Sequence, residues 1–301
     1  QSNFPEKFDA ILPYVDKETD PVAYGNYVKL PGVWVLIGGM WIAHFYYWGT
    51  NQYITQRALG GKSLDEAQKG LMFAGFLKIF MPIVVVLPGL IAVALEGNVI
   101  ESLGGDRSKA YPSMLSLLPN GILGLTFAAL VAAIVSSLAS LTNSLSTIFT
   151  MDIYKNYTKV KDTELVNVGR FAGTSGLILS IIVAPIFLGS LDSAFQYVQE
   201  YMGLFSPVIL FVFLSAIFFK KSSSKSVLAG SLVALVVGVI MKLYVAQTDQ
   251  SLIEPFMHQM AISFGIAFLV SFALSDKSDN AKVFKLTYKD FKTSKLFNYG
   301  S

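Results

Sequence analysis

No cysteine occurs in the 301 residues, so the chain has neither a disulfide framework nor a thiolate metal site. Charge is scarce: 14% of residues are Asp, Glu, Lys or Arg, against about 25% in an ordinary soluble domain. The only two histidines, His44 and His258, stand far apart in sequence and suggest no metal constellation. A net charge of +3 points to no nucleic-acid partner. No nucleophile–base pair is visible, so an enzyme is not expected. The first residue is Gln, and residues 1–31 are polar without a signal-peptide pattern, which suggests a piece of a longer polypeptide.

What the chain has is apolar length. Hydrophobic residues make up 53% of it and the mean hydropathy is +0.55. Spanning the hydrocarbon of a bilayer takes about 20 apolar residues in a helix. Seven runs qualify: 33–57, 70–95, 120–150, 166–189, 193–219, 226–246 and 259–275. They are too long for strands and do not alternate, so the expected class is an all-α polytopic membrane protein in contact with lipid. Basic residues collect in every second connection, at Arg57, Lys62 and Lys69, at Lys155 to Arg170, at Lys220 to Lys225, and in the tail. Those sides read as cytoplasmic, so the first run enters from outside. The predicted layout is an outer loop at 1–32, seven spans to 275 and a cytoplasmic charged tail at 276–301.

Proline and glycine punctuate the spans at Pro82, Pro88, Pro185 and the Gly203/Pro207 pair. Each can be a packing kink. At Gly203/Pro207 a second reading stands beside it: a broken helix whose freed backbone groups bind a solute. Pro185 is expected to end the fourth span.

Several polar side chains lie where lipid tolerates few. In the third run Ser136, Ser140, Asn143, Ser144 and Thr147 share a face by their three- and four-residue spacing, with Ser137 beside it. One reading is a small-residue interface with hydroxyls as glue. The other is a Na⁺ site, since a hard monovalent cation needs oxygens and no other chemistry. The Ser137 hydroxyl lies near the Ala133 carbonyl one turn back, so side chain and backbone can present oxygens together. In the first run Tyr46, Tyr47 and Trp48 precede Gly49, with His44, Asn51 and Gln52 nearby. They form either an interfacial aromatic belt or a mid-membrane platform on which a sugar ring stacks. Lys78 reads either as a snorkelling lysine or as a lysine facing a polar cavity. Gln196, Gln199 and Gly203 share a helical face, and glutamine amides suit a polyhydroxylated solute. Glu200 reads as a solvated helix end, and Asp152 as a structural carboxylate paired with a nearby base.

The segment YYWGTNQYITQR, followed by KSLDEAQKG and a helix containing FLK, resembles the bacterial sodium/galactose symporters. These are members of the solute:sodium symporter family, which includes the animal sodium/glucose cotransporters. AALVAAIVSSLASLTNSLSTIFTMDIYK and FQYVQEYMGLFSP match the same group, in its order and spacing, and the resemblance covers residues 27–275. It implies a five-plus-five inverted-repeat transporter fold, with residues 33–219 as the second repeat and 220–275 as two additional helices. Core helices one to five are then missing N-terminal partners of this chain. The resemblance also implies roles. Tyr47 matches the tyrosine that stacks on the sugar, and Lys78 and Gln199 match groups that hydrogen-bond it. Ser136 and Ser137 match hydroxyl ligands of Na⁺, with Ala133 supplying a carbonyl. His44 departs from the pattern: it stands where the galactose transporters carry a sugar-contacting Asn. Imidazole also donates and accepts, so a hexose or related polyol still fits.

The expected function is Na⁺-coupled symport of a galactose- or glucose-like sugar across a bacterial inner membrane, by alternating access. The isolated chain is expected not to transport. The alternatives are a symporter of the same family for sialic acid, inositol, an amino acid or a carboxylate, a membrane sensor built on this fold, and a purely structural membrane protein.

Overall fold

Ser63 opens the first membrane-length helix of the computed structural model. Its hydroxyl accepts from the Glu66 N–H at 3.2 Å, and Asp65 and Glu66 stand in the first turn, where the helix dipole favours carboxylates. The structure describes residues 18–21, 24, 35–36, 38–94, 109–158, 161–188, 194–219, 222–247, 253 and 255–275. Most of the expected outer loop, parts of the later connections and the whole charged tail lie outside the described residues.

The described elements are all helical. In chain order they are α1 (Gly39–Phe45), α2 (Gln52–Leu59), α3 (Leu64–Val85), α4 (Leu87–Ala94), α5 (Ala110–Leu115), α6 (Asn120–Thr147), α7 (Asp162–Leu188), α8 (Ala194–Phe218), α9 (Ser224–Gln247) and α10 (Phe256–Ala273). π-Helical turns follow α1 at Tyr46–Thr50 and α6 at Ile148–Tyr154. Among the described residues six helices are long and apolar enough to cross a membrane: Leu64–Ala92, Asn120–Tyr157, Thr163–Phe187, Tyr197–Phe218, Ser224–Gln247 and Phe256–Ala273. The chain is therefore an all-α, multi-pass membrane protein.

The remaining expected span, 33–57, is described in part and is divided. The Thr50 hydroxyl and the Asn51 N–H both donate to the Tyr46 carbonyl, each at 3.0 Å, which closes a wide turn. Asn51 is then extended (φ −77°, ψ 115°), and α2 starts afresh. The second run begins earlier than its hydropathy suggests, at Leu64, because the Ser63 cap and a Lys69–Asp65 ion pair of 2.5 Å support a charged first turn. Pro185 does not end its helix: α7 runs through it to Leu188.

The chain forms two compact units, residues 1–51 with 198–291 and residues 52–197 with 292–301. In the first, α8, α9 and α10 contribute Phe211, Ala234 and Ala267 to a common core. A seam of small residues brings α9 against α10: Ser226, Gly230, Ala234 and Gly238 recur every four residues, facing Ser263, Ala267 and Ser271. A Cβ on Gly230 would stand 2.5 Å from the Ala267 carbonyl oxygen, so only glycine permits this approach. Ser223 and Ser226 cap α9 reciprocally, each backbone N–H donating to the other's hydroxyl at 3.0–3.1 Å. Gly203 serves the same packing, since its Cβ would meet Met260 and Phe256 of α10 at 3.3 Å. α8 is continuous through Gly203 and Pro207, so the broken-helix reading gives way to the packing one.

In the second unit α6 packs on α7. Gly169, Gly173 and Gly176 of α7 lie against Ser146, Thr142 and Leu145 of α6, and Ser146 Oγ donates to the Gly169 carbonyl at 2.8 Å. No residue of α3 is buried, so the packing of its own unit leaves its apolar surface uncovered.

Candidate functional site

The polar stripe of α6 meets α2. Gln56 Nε2 donates to the Ser140 carbonyl at 3.1 Å, and Asn143 Nδ2 donates to Gln56 Oε1 at 3.1 Å. Arg57 Nη2 donates to Ser136 Oγ at 3.4 Å and to the Ser136 carbonyl at 3.5 Å. It comes closer still to Ser140 Oγ. The Ser140 hydroxyl in turn donates to the Ser136 carbonyl at 2.9 Å. Ser140 and Ser144 are buried. For Ser140 and Asn143 the interface reading therefore holds: their polar groups fasten one helix to another. Thr147 bonds back to its own helix, to the Asn143 carbonyl at 2.8 Å.

Sequence reasoning missed Gln56 and Arg57. By its place in the sequence Arg57 reads as a loop charge, whereas its guanidinium lies on α6. No local pattern pairs them with α6; the helix that carries them starts at Gln52, after extended Asn51.

Ser136 and Ser137 are both exposed on α6. The Ser137 hydroxyl takes no partner among the described residues, while Ser136 is engaged by Arg57. With the Ala133 carbonyl one turn back they offer a set of neutral oxygens. Among the described residues no three His, Asp or Glu side chains gather as a metal cluster. Neutral hydroxyl and carbonyl oxygens suit a hard monovalent cation bound reversibly and do not suit a transition metal.

Lys78 belongs to the same unit. It is exposed along α3, well past the Leu64 start, so it lies deeper in its helix than a start at residue 70 implies.

The aromatic residues belong to the other unit. Tyr47 and Trp48 lie in the π-helical turn with ring centroids 5.3 Å apart, edge to face at 79°. π-Helical turns occur frequently at functional sites because they re-aim side chains. His44 is exposed in the last turn of α1. Gln199 is half-buried on α8, and its amide makes no hydrogen bond among the described residues. The backbone of Gln196 is helical, but its side chain lies outside what the structure describes. The structure thus places His44, Tyr47, Trp48 and Gln199 in one unit and Lys78, Ala133, Ser136 and Ser137 in the other.

Two carboxylates depart from expectation. Glu200 is not a solvated end: Lys242 Nζ approaches its Oε2 at 3.1 Å and lies 4.4 Å from the Tyr201 ring centroid. Asp152 makes no ion pair among the described residues, and its backbone carbonyl accepts from Asn156 Nδ2 at 2.6 Å.

Comparison with known proteins bears on this arrangement. A profile described as the sodium:solute symporter family matches residues 3–269. A sodium/glucose cotransporter of Vibrio parahaemolyticus is 45% identical over 291 residues, covering 91% of this chain and 52% of the relative. Sodium/glucose cotransporter 4 of Danio rerio is 35% identical, covering 73% of the chain and 35% of the relative. Sodium/myo-inositol cotransporter 2 of Homo sapiens is 33% identical, covering 70% and 33%. The chain spans between a third and about half of the length of these relatives.

Proposed function

The chain belongs to the sodium:solute symporter family, and from that premise we propose that the protein moves a neutral polyhydroxylated solute, a hexose, together with Na⁺ by alternating access. Residues 33–219 form the second inverted repeat, 220–275 two further helices, and the N-terminal half of the transporter completes both sites. The membrane is a bacterial inner membrane, with 1–32 outside and the tail in the cytoplasm. The process needs no covalent chemistry.

The observation that carries the reading is the oxygen set of α6: adjacent Ser136 and Ser137, both exposed on a membrane-length helix, with no carboxylate bonded to them among the described residues. Ala133, Ser136 and Ser137 are its ion ligands. Tyr47 and Trp48 stack on the solute, while His44, Lys78, Gln196 and Gln199 hydrogen-bond its hydroxyls. Ion and solute each raise the affinity for the other through the shared conformational equilibrium.

A second solute class has specific support. By the resemblance, His44 stands where the galactose transporters carry a sugar-contacting Asn, and a relative named for myo-inositol shares 33% identity with this chain. The experiment is uptake of labelled galactose, glucose and myo-inositol by the intact protein in proteoliposomes, under a Na⁺ gradient and with K⁺ in place of Na⁺. Na⁺-dependent hexose uptake lost in Ser137→Ala supports the reading. Na⁺-dependent uptake of inositol alone moves the substrate to a cyclic polyol. Uptake that is equal in K⁺ rejects sodium coupling.

A further inference from the structure

Arg57 holds oxygens that a sodium ion needs. Its Nη2 donates to both oxygens of Ser136, at 3.4 and 3.5 Å, and to the Ser140 hydroxyl. A guanidinium has only donors, so it binds through oxygen lone pairs. A hard cation takes those same lone pairs. Each of these oxygens has a second lone pair, so the competition is one of charge: two positive charges drawn to the same oxygens repel strongly where water is scarce. We propose that Arg57 and Na⁺ compete for Ser136, so that Arg57 sets the Na⁺ affinity of the site and its displacement transmits ion binding to α2. This rests on the reading of Ser136 and Ser137 as ion ligands.

The geometry gives the exchange a route. The Ser137 hydroxyl has no partner among the described residues and makes the first contact, and Ser136 is the ligand handed over. Arg57 lies near the end of an eight-residue helix. Gln56, one position earlier, keeps its own bonds to Ser140 and Asn143. α2 can therefore lose the Arg57 contact and stay attached through Gln56. Its other end starts at extended Asn51, which separates α2 from the π-helical turn before it. Five residues before Gln52 in the sequence stands Tyr47, proposed to contact the solute. A change at Ser136 thus reaches the solute-binding segment through a short stretch of chain.

The test is equilibrium binding of radioactive sodium to the intact protein in detergent. Removing the competitor in Arg57→Ala should tighten Na⁺ binding by about five-fold or more. Arg57→Gln, which keeps a hydrogen-bonding side chain without the charge, should tighten it in the same direction and decides the matter if Arg57→Ala does not fold. A purely structural arginine predicts the opposite, since loosening α2 can only weaken the site. Unchanged or weaker Na⁺ binding in a folded Arg57 variant therefore overturns the proposal. Ser137→Ala separates the two levels. If it abolishes Na⁺ binding while the Arg57 variants bind as wild type, the competition alone fails. If it leaves Na⁺ binding intact, the ion site itself is misassigned and the competition falls with it.

Discussion

Lys242 on α9 reaches Glu200 on α8 at 3.1 Å, inside two membrane-length helices, with its ammonium also lying against the face of Tyr201. Neither side chain is free in water: their exposures are 26% and 31%. The pair therefore does more than a surface ion pair, although water still screens part of it. Glu200 directly follows Gln199, so the same contact fixes the rotation of α8 about its axis. We expect Lys242→Ala to destabilise the protein by about 1–2 kcal/mol, below the cost of breaking a fully buried pair. The exchanged pair Glu200→Lys with Lys242→Glu should recover more than half of that loss. Thermal unfolding in detergent measures both, and a double variant no more stable than either single one would show that the contact is incidental.

The α9–α10 seam predicts a sharp contrast between glycines. At Gly230 an added Cβ would stand 2.5 Å from backbone, which cannot yield as a side chain can. Gly230→Leu should force the helices apart at a cost of about 2–3 kcal/mol, as overpacking does. Gly265 of α10 has open space around the same position. Gly265→Ala should be neutral or stabilising by up to about 1 kcal/mol, the ordinary gain in helix propensity. Melting temperatures of the two variants, measured side by side, check the seam.

The parts of this architecture that were legible in the sequence are the local ones. Apolar length and three- and four-residue spacing are properties of a single helix, so the spans and the polar stripe of α6 could be read directly. Pairings across helices could not. Arg57 and Ser136 are 79 positions apart and Lys242 and Glu200 are 42 apart. Nothing in either local pattern names the partner. The division of the first run escaped for another reason: hydropathy registers Tyr46–Thr50 as apolar helix, while the turn depends on two donors sharing the Tyr46 carbonyl. Gly203 and Pro207 illustrate the reverse. Their sequence admits either a break or a packing kink, and α10 fills the space opposite Gly203 while the helix continues.

The glycines of α7 offer a third check. Gly173 lies against Thr142, and the Cβ of an alanine there would stand 2.9 Å from the Thr142 methyl group. A methyl group on a rotatable bond can partly yield, so Gly173→Ala should cost only about 1 kcal/mol, with Thr142→Ser in the same chain recovering most of it. Because α6 carries the proposed ion ligands, the single variant should also weaken Na⁺ binding modestly, and Thr142→Ser should restore that too. Recovery of stability without recovery of Na⁺ binding would mean that α7 does not position α6 for the ion.

Two glutamines should separate structure from recognition. The Gln56 amide is occupied on both sides: it donates to the Ser140 carbonyl at 3.1 Å and to the Tyr53 carbonyl at 3.3 Å, and accepts from Asn143 at 3.1 Å. The Gln199 amide is half-buried with no partner among the described residues, which fits its proposed role at the solute. Gln56→Ala should therefore cost stability, about 1 kcal/mol for hydrogen bonds of this kind inside a membrane protein, with solute affinity falling only as far as the fold loosens. Gln199→Ala should leave the melting temperature unchanged and weaken solute binding about ten-fold, the usual loss when one hydrogen bond to a polar ligand is removed. Sodium binding measured without solute should hold in Gln199→Ala. Equal losses of solute and sodium binding in that variant would move Gln199 out of the solute site and into the framework that Gln56 already occupies.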